Sequence, residues 1–213
     1  MFNALTFDDD ITERAGSKLC SRVFHVGGRD ISSFEVRNFT DASSGARLLG
    51  DVYLPSLLVG DDIVDTVTEH VLTTGCKLII SACNTLDEVG SCDKRFGVTP
   101  VGLAHKLGLL DGAYIAGGVY LDKDDIELIN QSGAKVILTP SDSLGYGHGI
   151  PPLRMLLNLG ADVYIGTGTG KYDRDADLDF EKRLLSLAVS GALCTRDAVP
   201  LGILDELTEK MPD

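Results

Sequence analysis

Basic residues are scarce and scattered in this chain of 213 residues. Its 19 Lys and Arg stand against 32 Asp and Glu, which leaves a formal charge of −13. Binding to a duplex or an anionic membrane draws on concentrated Lys and Arg, because neutralising phosphates releases counterions. No basic run exists, so nucleic acid and membrane are both set aside as partners. Long apolar runs are missing too: stretches such as Lys77-Leu-Ile-Ile80 fall far short of the ~20 residues a membrane span takes. The start reaches Asp8-Asp9-Asp10 where a secretory leader would carry basic residues. Cys20, Cys76, Cys83, Cys92 and Cys194 form no Cys-x-x-Cys pair. That scatter argues against a disulfide framework or a zinc knuckle and for reduced thiols in the cytoplasm.

What is present is a core-forming composition. Hydrophobic residues make up 44% and charged residues 24%, which a disordered chain does not show. Glycine is abundant, at 24 residues or about 11% against a usual ~7%. The length suits one large domain or two small ones; the chain is read here as a single domain over residues 1–213, with an irregular segment at 1–45 and βα units over 46–213.

From about residue 46 onward the pattern alternates regularly. Strands are expected over 46–54, 77–82, 113–117, 134–139 and 162–166. Helices are expected over 61–72, 99–110, 122–131, 151–159, 178–189 and 199–210. In the first of these helices Ile63, Val64, Val67 and Val71 share a face, acids fill the first turn and Gly75 follows the end. Residues 20–26 and 33–40 read as further strands. Repeated strand-then-helix units argue for an α/β fold, a parallel sheet covered by helices. Periodicity leaves an open doubly wound sheet and a (β/α)8 barrel as alternatives.

In such folds ligands meet the loops after the strands. These loops carry Ser81, Cys83, Asn84, Gly117, Gly118, Ser141, Asp142, Ser143 and the stretch Gly166-Thr-Gly-Thr-Gly-Lys171. The glycine-rich stretch could cradle phosphate through backbone amides. It lacks the Gly at Ile165 and the Ser or Thr at Tyr172 of a P-loop, so a strand-to-helix turn is the simpler reading. Of the four histidines, His70 and His105 sit in helical patterns, whereas His148 lies in a ligand-facing loop and could act as acid or base near Asp142. Cys83 could be a nucleophile, but no histidine neighbours it in sequence and a buried thiol is the better reading. The acids Asp173, Asp175, Asp177 and Asp179 lack the Gly and terminal Glu of a calcium loop, and read as the solvated start of a helix.

The order of motifs resembles the second half of the metal-dependent amidohydrolase superfamily, in its cytosine/guanine deaminase and chlorohydrolase-like branch. The resemblance is carried by Cys76-Lys-Leu-Ile-Ile-Ser-Ala-Cys-Asn-Thr-Leu-Asp-Glu-Val89, Gly97-Val-Thr-Pro-Val-Gly102 and Gly108-Leu-Leu-Asp-Gly-Ala-Tyr-Ile-Ala-Gly-Gly-Val-Tyr-Leu-Asp122. It continues through Pro140-Ser-Asp-Ser143, Gly149-Ile-Pro-Pro152 and Gly160-Ala-Asp-Val-Tyr-Ile-Gly-Thr-Gly168, in all about two thirds of the chain. The resemblance implies a parallel (β/α) barrel, here an incomplete or remodelled TIM barrel, whose relatives use one or two metal ions to activate water.

It also implies departures. The family's strand-five His and the Glu three residues on fall at Ser81 and Asn84, its strand-six His at Gly117, and its strand-eight Asp at Gly168. Lowering the pKa of bound water takes a metal held by imidazoles and carboxylates. Ser, Asn and two Gly do not supply that set, and no neighbouring residue in the sequence repairs all three strand ends. The expectation is therefore a protein with no metal, no cofactor and no catalytic residue. It would have a non-hydrolytic binding or assembly role, with a small polar ligand near Ser81, Asn84, Gly117, Ser141, Asp142, His148 and Gly168. The alternative is a hydrolase or deaminase acting on carbon–nitrogen bonds with a remodelled site. A homo-oligomer is expected, because an incomplete barrel leaves strand edges to cover.

Overall fold

Short runs of β-branched and aliphatic residues form the sheet. The structure, a computed structural model, describes residues 3–6, 22–25, 52–54, 56–58, 61–75, 77–168, 171–172 and 177–209. Two short strands, β1 (Asn3–Thr6) and β2 (Arg22–His25), pair parallel, with Asn3 opposite Arg22 and Thr6 opposite His25. A separate sheet has the order β3 (Val52–Leu54), β4 (Leu78–Ala82), β5 (Tyr114–Gly117), β6 (Lys135–Leu138) and β7 (Val163–Ile165). Pairing is parallel with Val52 opposite Leu78, Ile79 opposite Tyr114, Ala82 opposite Gly117 and Tyr114 opposite Lys135. Ile79, Ile80, Ile115, Val136 and Ile137 are all buried, as expected of parallel strands covered on both faces.

Parallel neighbours need a crossover, and helices supply it. These are α1 (Asp61–Thr74), α2 (Leu86–Phe96), α3 (Pro100–Lys106), α4 (Lys123–Gln131), α5 (Pro140–Gly145), α6 (Leu153–Asn158), α7 (Leu178–Ala192) and α8 (Leu201–Glu209). Side chains start four of them. Thr85 accepts from the Glu88 N–H, Thr99 from Gly102, and Asp177 from Asp179 and Phe180. Asp122 and Asp125 form a reciprocal capping box. Asp177 and Asp179 thus have the helix-start role expected of them, while 173–176 lie outside the described residues.

Two helices differ from expectation. In α2 only Cys92 is buried, although Leu86, Val89, Cys92 and Phe96 recur at helical spacing; a further signal is Thr85 followed three residues later by Glu88, with Gly97 at the end. α5 has only six residues and begins at Pro140, inside a stretch read as loop. The strand expected over 46–54 is seen at 52–54 and that over 20–26 at 22–25; the one expected over 33–40 lies outside the described residues.

The chain divides into two compact units. One comprises 51–137 and 151–163, the other 1–50, 138–150 and 164–213. In the first, α2 packs on α3 and α3 on α4 around a core that includes Val101, Leu110, Ile126, Ile129 and Leu156. In the second, α5 packs on α7 and α7 on α8, burying Leu185, Val189, Leu204 and Leu207. Each such side chain contributes about 1.5–3 kcal/mol by leaving water.

Candidate functional site

The end of β4 is turned by Cys83, which takes the left-handed conformation at φ 56. The following residue, Asn84, folds back over the strand end. Its Nδ2 donates to Ser81 Oγ at 2.7 Å and to the Ala116 carbonyl at 3.4 Å. Gly117, paired with Ala82 on the next strand, has φ 89, and a β-carbon there would stand 2.7 Å from Asn84 Cγ and nearer still to Oδ1. Ser81, Asn84 and Gly117 are therefore one uncharged cluster.

Glu88 holds this turn from behind. Its Oε2 accepts the Asn84 N–H at 2.9 Å and its Oε1 the Ser56 hydroxyl at 3.3 Å. Burial pushes its carboxyl above the ordinary range, against those hydrogen bonds. Asp125 is also buried; it accepts from the Thr99 hydroxyl and from the Asp122 N–H, and burial raises its pKa too.

Cys83 Sγ lies 3.9 Å from Asp125 Oδ2. Burial, reinforced by the Asp125 charge, pushes the Cys83 thiol far up. A thiol kept protonated is no nucleophile, so the structure favours the buried-thiol reading of Cys83.

In the other unit the segments that follow β6 and β7 carry polar residues that are almost all buried: Thr139, Ser141, Asp142, Ser143 and Thr167. Gly166 N–H donates to Leu138 O at 2.9 Å and joins the two ends. Gly168 has φ 65, and a β-carbon on it would stand 2.7 Å from Asp142 Cγ. An acid thus lies over Gly168 in space, though the neighbouring sequence offers none. Glu181 of α7 is fully buried, and its Oε2 accepts the Ser141 N–H at 2.8 Å, which caps the start of α5. Ser141 Oγ and Thr167 Oγ1 are buried with no hydrogen-bond partner among the described residues, which leaves capacity for water or a small polar group.

The His148 N–H donates to Ser143 O at 2.8 Å, which places it on the same loop. Its ring stacks on Tyr146 with centroids 5.6 Å apart. Tyr172 meets Tyr146 edge-on at 5.1 Å, and Lys171 Nζ lies 4.5 Å over the Tyr146 ring. Of the glycine-rich stretch, Thr169 and Gly170 lie outside the described residues.

The sequence candidates thus fall in two groups, Ser81 with Asn84 and Gly117, and Ser141 with Asp142, His148 and Gly168. Glu88 and Glu181 escaped sequence reasoning. The Thr85-x-x-Glu88 spacing could have flagged Glu88, while Glu181 resembles any acid in the first turn of a helix. Among the described residues no group of three or more His, Cys, Asp and Glu stands close enough to hold a metal ion, and no helix is long and apolar enough to cross a membrane.

No family profile matches the chain. It is 30% identical over 168 residues to the 5-methylthioadenosine/S-adenosylhomocysteine deaminase of Haloarcula marismortui, covering 78% of this chain and 38% of that protein. It is 34% identical over 109 residues to the deaminase of the same description from Pyrococcus furiosus, covering 51% of this chain and 26% of that one. The chain therefore spans well under half the length of these curated relatives. Among solved structures it superposes on a guanine deaminase from C. acetobutylicum with a TM-score of 0.71 at 14% identity, over 93% of this chain and 58% of the other. A zinc-bound adenosine deaminase from Xanthomonas campestris gives a TM-score of 0.66 at 16% identity, over 87% and 51%. The parallel α/β barrel-like fold is shared with these structures, the sequence similarity runs through most of the chain, and the chain belongs to the metal-dependent amidohydrolase superfamily.

Proposed function

We propose that the protein acts on carbon–nitrogen bonds of a small polar substrate, with the buried acid Asp142 as the proton-transfer group. The observation that carries this reading is the 30% identity over 168 residues to a deaminase. In this reading the strand ends that would hold a metal carry Ser81, Asn84, Gly117 and Gly168.

The zinc of the Xanthomonas campestris structure tests that point. Zinc takes imidazole, thiolate or carboxylate donors. The cluster at Ser81, Asn84 and Gly117 offers a hydroxyl and a carboxamide, and over Gly168 stands one acid, Asp142. Neither donor set fits zinc. Hydrolysis of a carbon–nitrogen bond still needs a group to take a proton from water and return one to the leaving nitrogen. Asp142, buried at a strand end, is a carboxylate suited to that exchange.

The test is ammonia release by the purified full chain from 5-methylthioadenosine, S-adenosylhomocysteine and guanine, with and without added zinc. Turnover that falls about 10²–10⁴-fold in Asp142→Asn supports the reading. No release from any of them defeats it. A second reading, binding without hydrolysis, is favoured by the Asn84 carboxamide in the space over Gly117. It predicts stabilisation by one of these compounds with no turnover.

A further inference from the structure

We infer that Tyr172 is a positioning residue: seated on Gly145, its ring fixes the segment after β7 against α5 and so holds Gly168 beneath the Asp142 carboxyl. Two contacts join these segments, one helical turn apart. At the first, a β-carbon on Gly168 would stand 2.7 Å from Asp142 Cγ. At the second, a β-carbon on Gly145 would stand 2.5–2.6 Å from three carbons of the Tyr172 ring. Asp142 and Gly145 are three apart in α5 and share a face, and Gly168 and Tyr172, four apart, meet them in the same order. Gly168 also takes a left-handed backbone, at φ 65, which by itself favours glycine. Gly145 has no such need. It lies within a helix, where alanine would be the more stable residue, so the seat it gives Tyr172 is its physical use.

Further contacts tighten the join. The Tyr172 ring meets Tyr146 edge-on at 5.1 Å, and the Lys171 ammonium lies 4.5 Å over the Tyr146 ring and 5.2 Å over that of Tyr172. Tyr146 is tied in turn to the acid's own residue, because its N–H donates to the Asp142 carbonyl at 2.9 Å. The glycine-rich stretch that begins at Gly166 therefore ends in an aromatic anchor on α5. Tyr172 is 40% exposed, so truncating it releases this anchor without opening the core. The anchor stands without the proposed function; only the use of Asp142 in proton transfer rests on that reading.

The test uses the full chain. The coupling between Asp142→Ala and Gly168→Ala, read from urea unfolding, should disappear in a Tyr172→Ala background, because the freed segment can move off the acid. It should persist with Tyr172→Phe, which keeps the ring carbons that touch Gly145. Residue 172 contributing to stability alone would leave the coupling unchanged. If Tyr172→Ala fails to fold, Gly145→Ala displaces the same ring from the other side and carries the same test. With ammonia release as the readout, Tyr172→Ala should lower kcat about 10–100-fold with KM nearly unchanged, and Tyr172→Phe should stay near the parent. A coupling that survives release of the ring overturns the inference, as does turnover that falls equally in the Ala and Phe variants. No ammonia release from the parent, with the coupling lost in Tyr172→Ala, would defeat the carbon–nitrogen chemistry and leave the positioning intact. Ammonia release with the coupling unmoved would do the opposite.

Discussion

The carboxamide of Asn84 occupies the volume that a β-carbon on Gly117 would need, with Cγ 2.7 Å from that point. Gly117 cannot be enlarged unless Asn84 is made smaller. Gly117→Ala should lose about 1–2 kcal/mol from the left-handed backbone and about 1–3 kcal/mol from overpacking. Adding Asn84→Gly should return the steric share and leave the backbone share. Urea midpoints of the two variants decide it, and a Gly117→Ala protein as stable as the parent would refute the close approach.

The same logic couples Asp142 to Gly168, where the β-carbon would stand 2.7 Å from the carboxyl carbon. Gly168→Ala and Asp142→Ala should each destabilise. Together they should cost less than their sum, by about 0.5–3 kcal/mol, the range for contacting residues. A double-mutant cycle from denaturant unfolding measures this, and strict additivity would separate the two residues.

Burial raises the carboxyls of Glu88 and Asp125 above their ordinary values of 4.5 and 3.8. The folded chain then holds these protons more tightly than the unfolded chain does. Their contribution to stability is complete below the ordinary values and is lost as pH rises through the raised ones. Stability from these two groups should therefore fall as pH rises above their ordinary values. Glu88→Gln, whose amide can keep both the Asn84 and the Ser56 contacts, should flatten that slope. An identical slope in the variant, read from urea unfolding at several pH values, would remove Glu88 from the account.

Cys83 and Cys92 are buried and Cys194 is exposed. Burial lifts the Cys83 thiol far up and the Cys92 thiol to about 11. Brief labelling of the native protein at mildly alkaline pH should modify Cys194 and spare Cys83 and Cys92, with peptide mapping as the readout. Cys83→Ser should leave any turnover intact. Loss of turnover in that variant would revive the nucleophile.

Most of the helical and strand pattern was legible in sequence because apolar periodicity and capping residues are local properties. Residues 122–131 show it: Asp122 and Asp125 are three apart, Ile126 and Ile129 share the buried face, and Gly133 follows. Helix α2 escaped although Leu86, Val89, Cys92 and Phe96 recur at helical spacing, because Asp87, Glu88, Asp93, Lys94 and Arg95 outnumber them and only Cys92 is buried. The site was legible only as residue types at strand ends. That Asn84 turns onto Ser81 and over Gly117 depends on the left-handed Cys83 and on a neighbouring strand more than thirty residues away.

Alternation of short apolar strands with capped helices, which follows from hydrogen-bond geometry and burial within each segment, determined from the sequence alone that this chain forms a parallel α/β array. Tertiary structure alone decided what fills the strand ends. Asp142 stands over Gly168, Glu181 caps Ser141 from another helix, and Glu88 braces the Asn84 turn. Such placements come from pairing register and close packing between distant segments, and a linear order of residues carries neither distance nor direction.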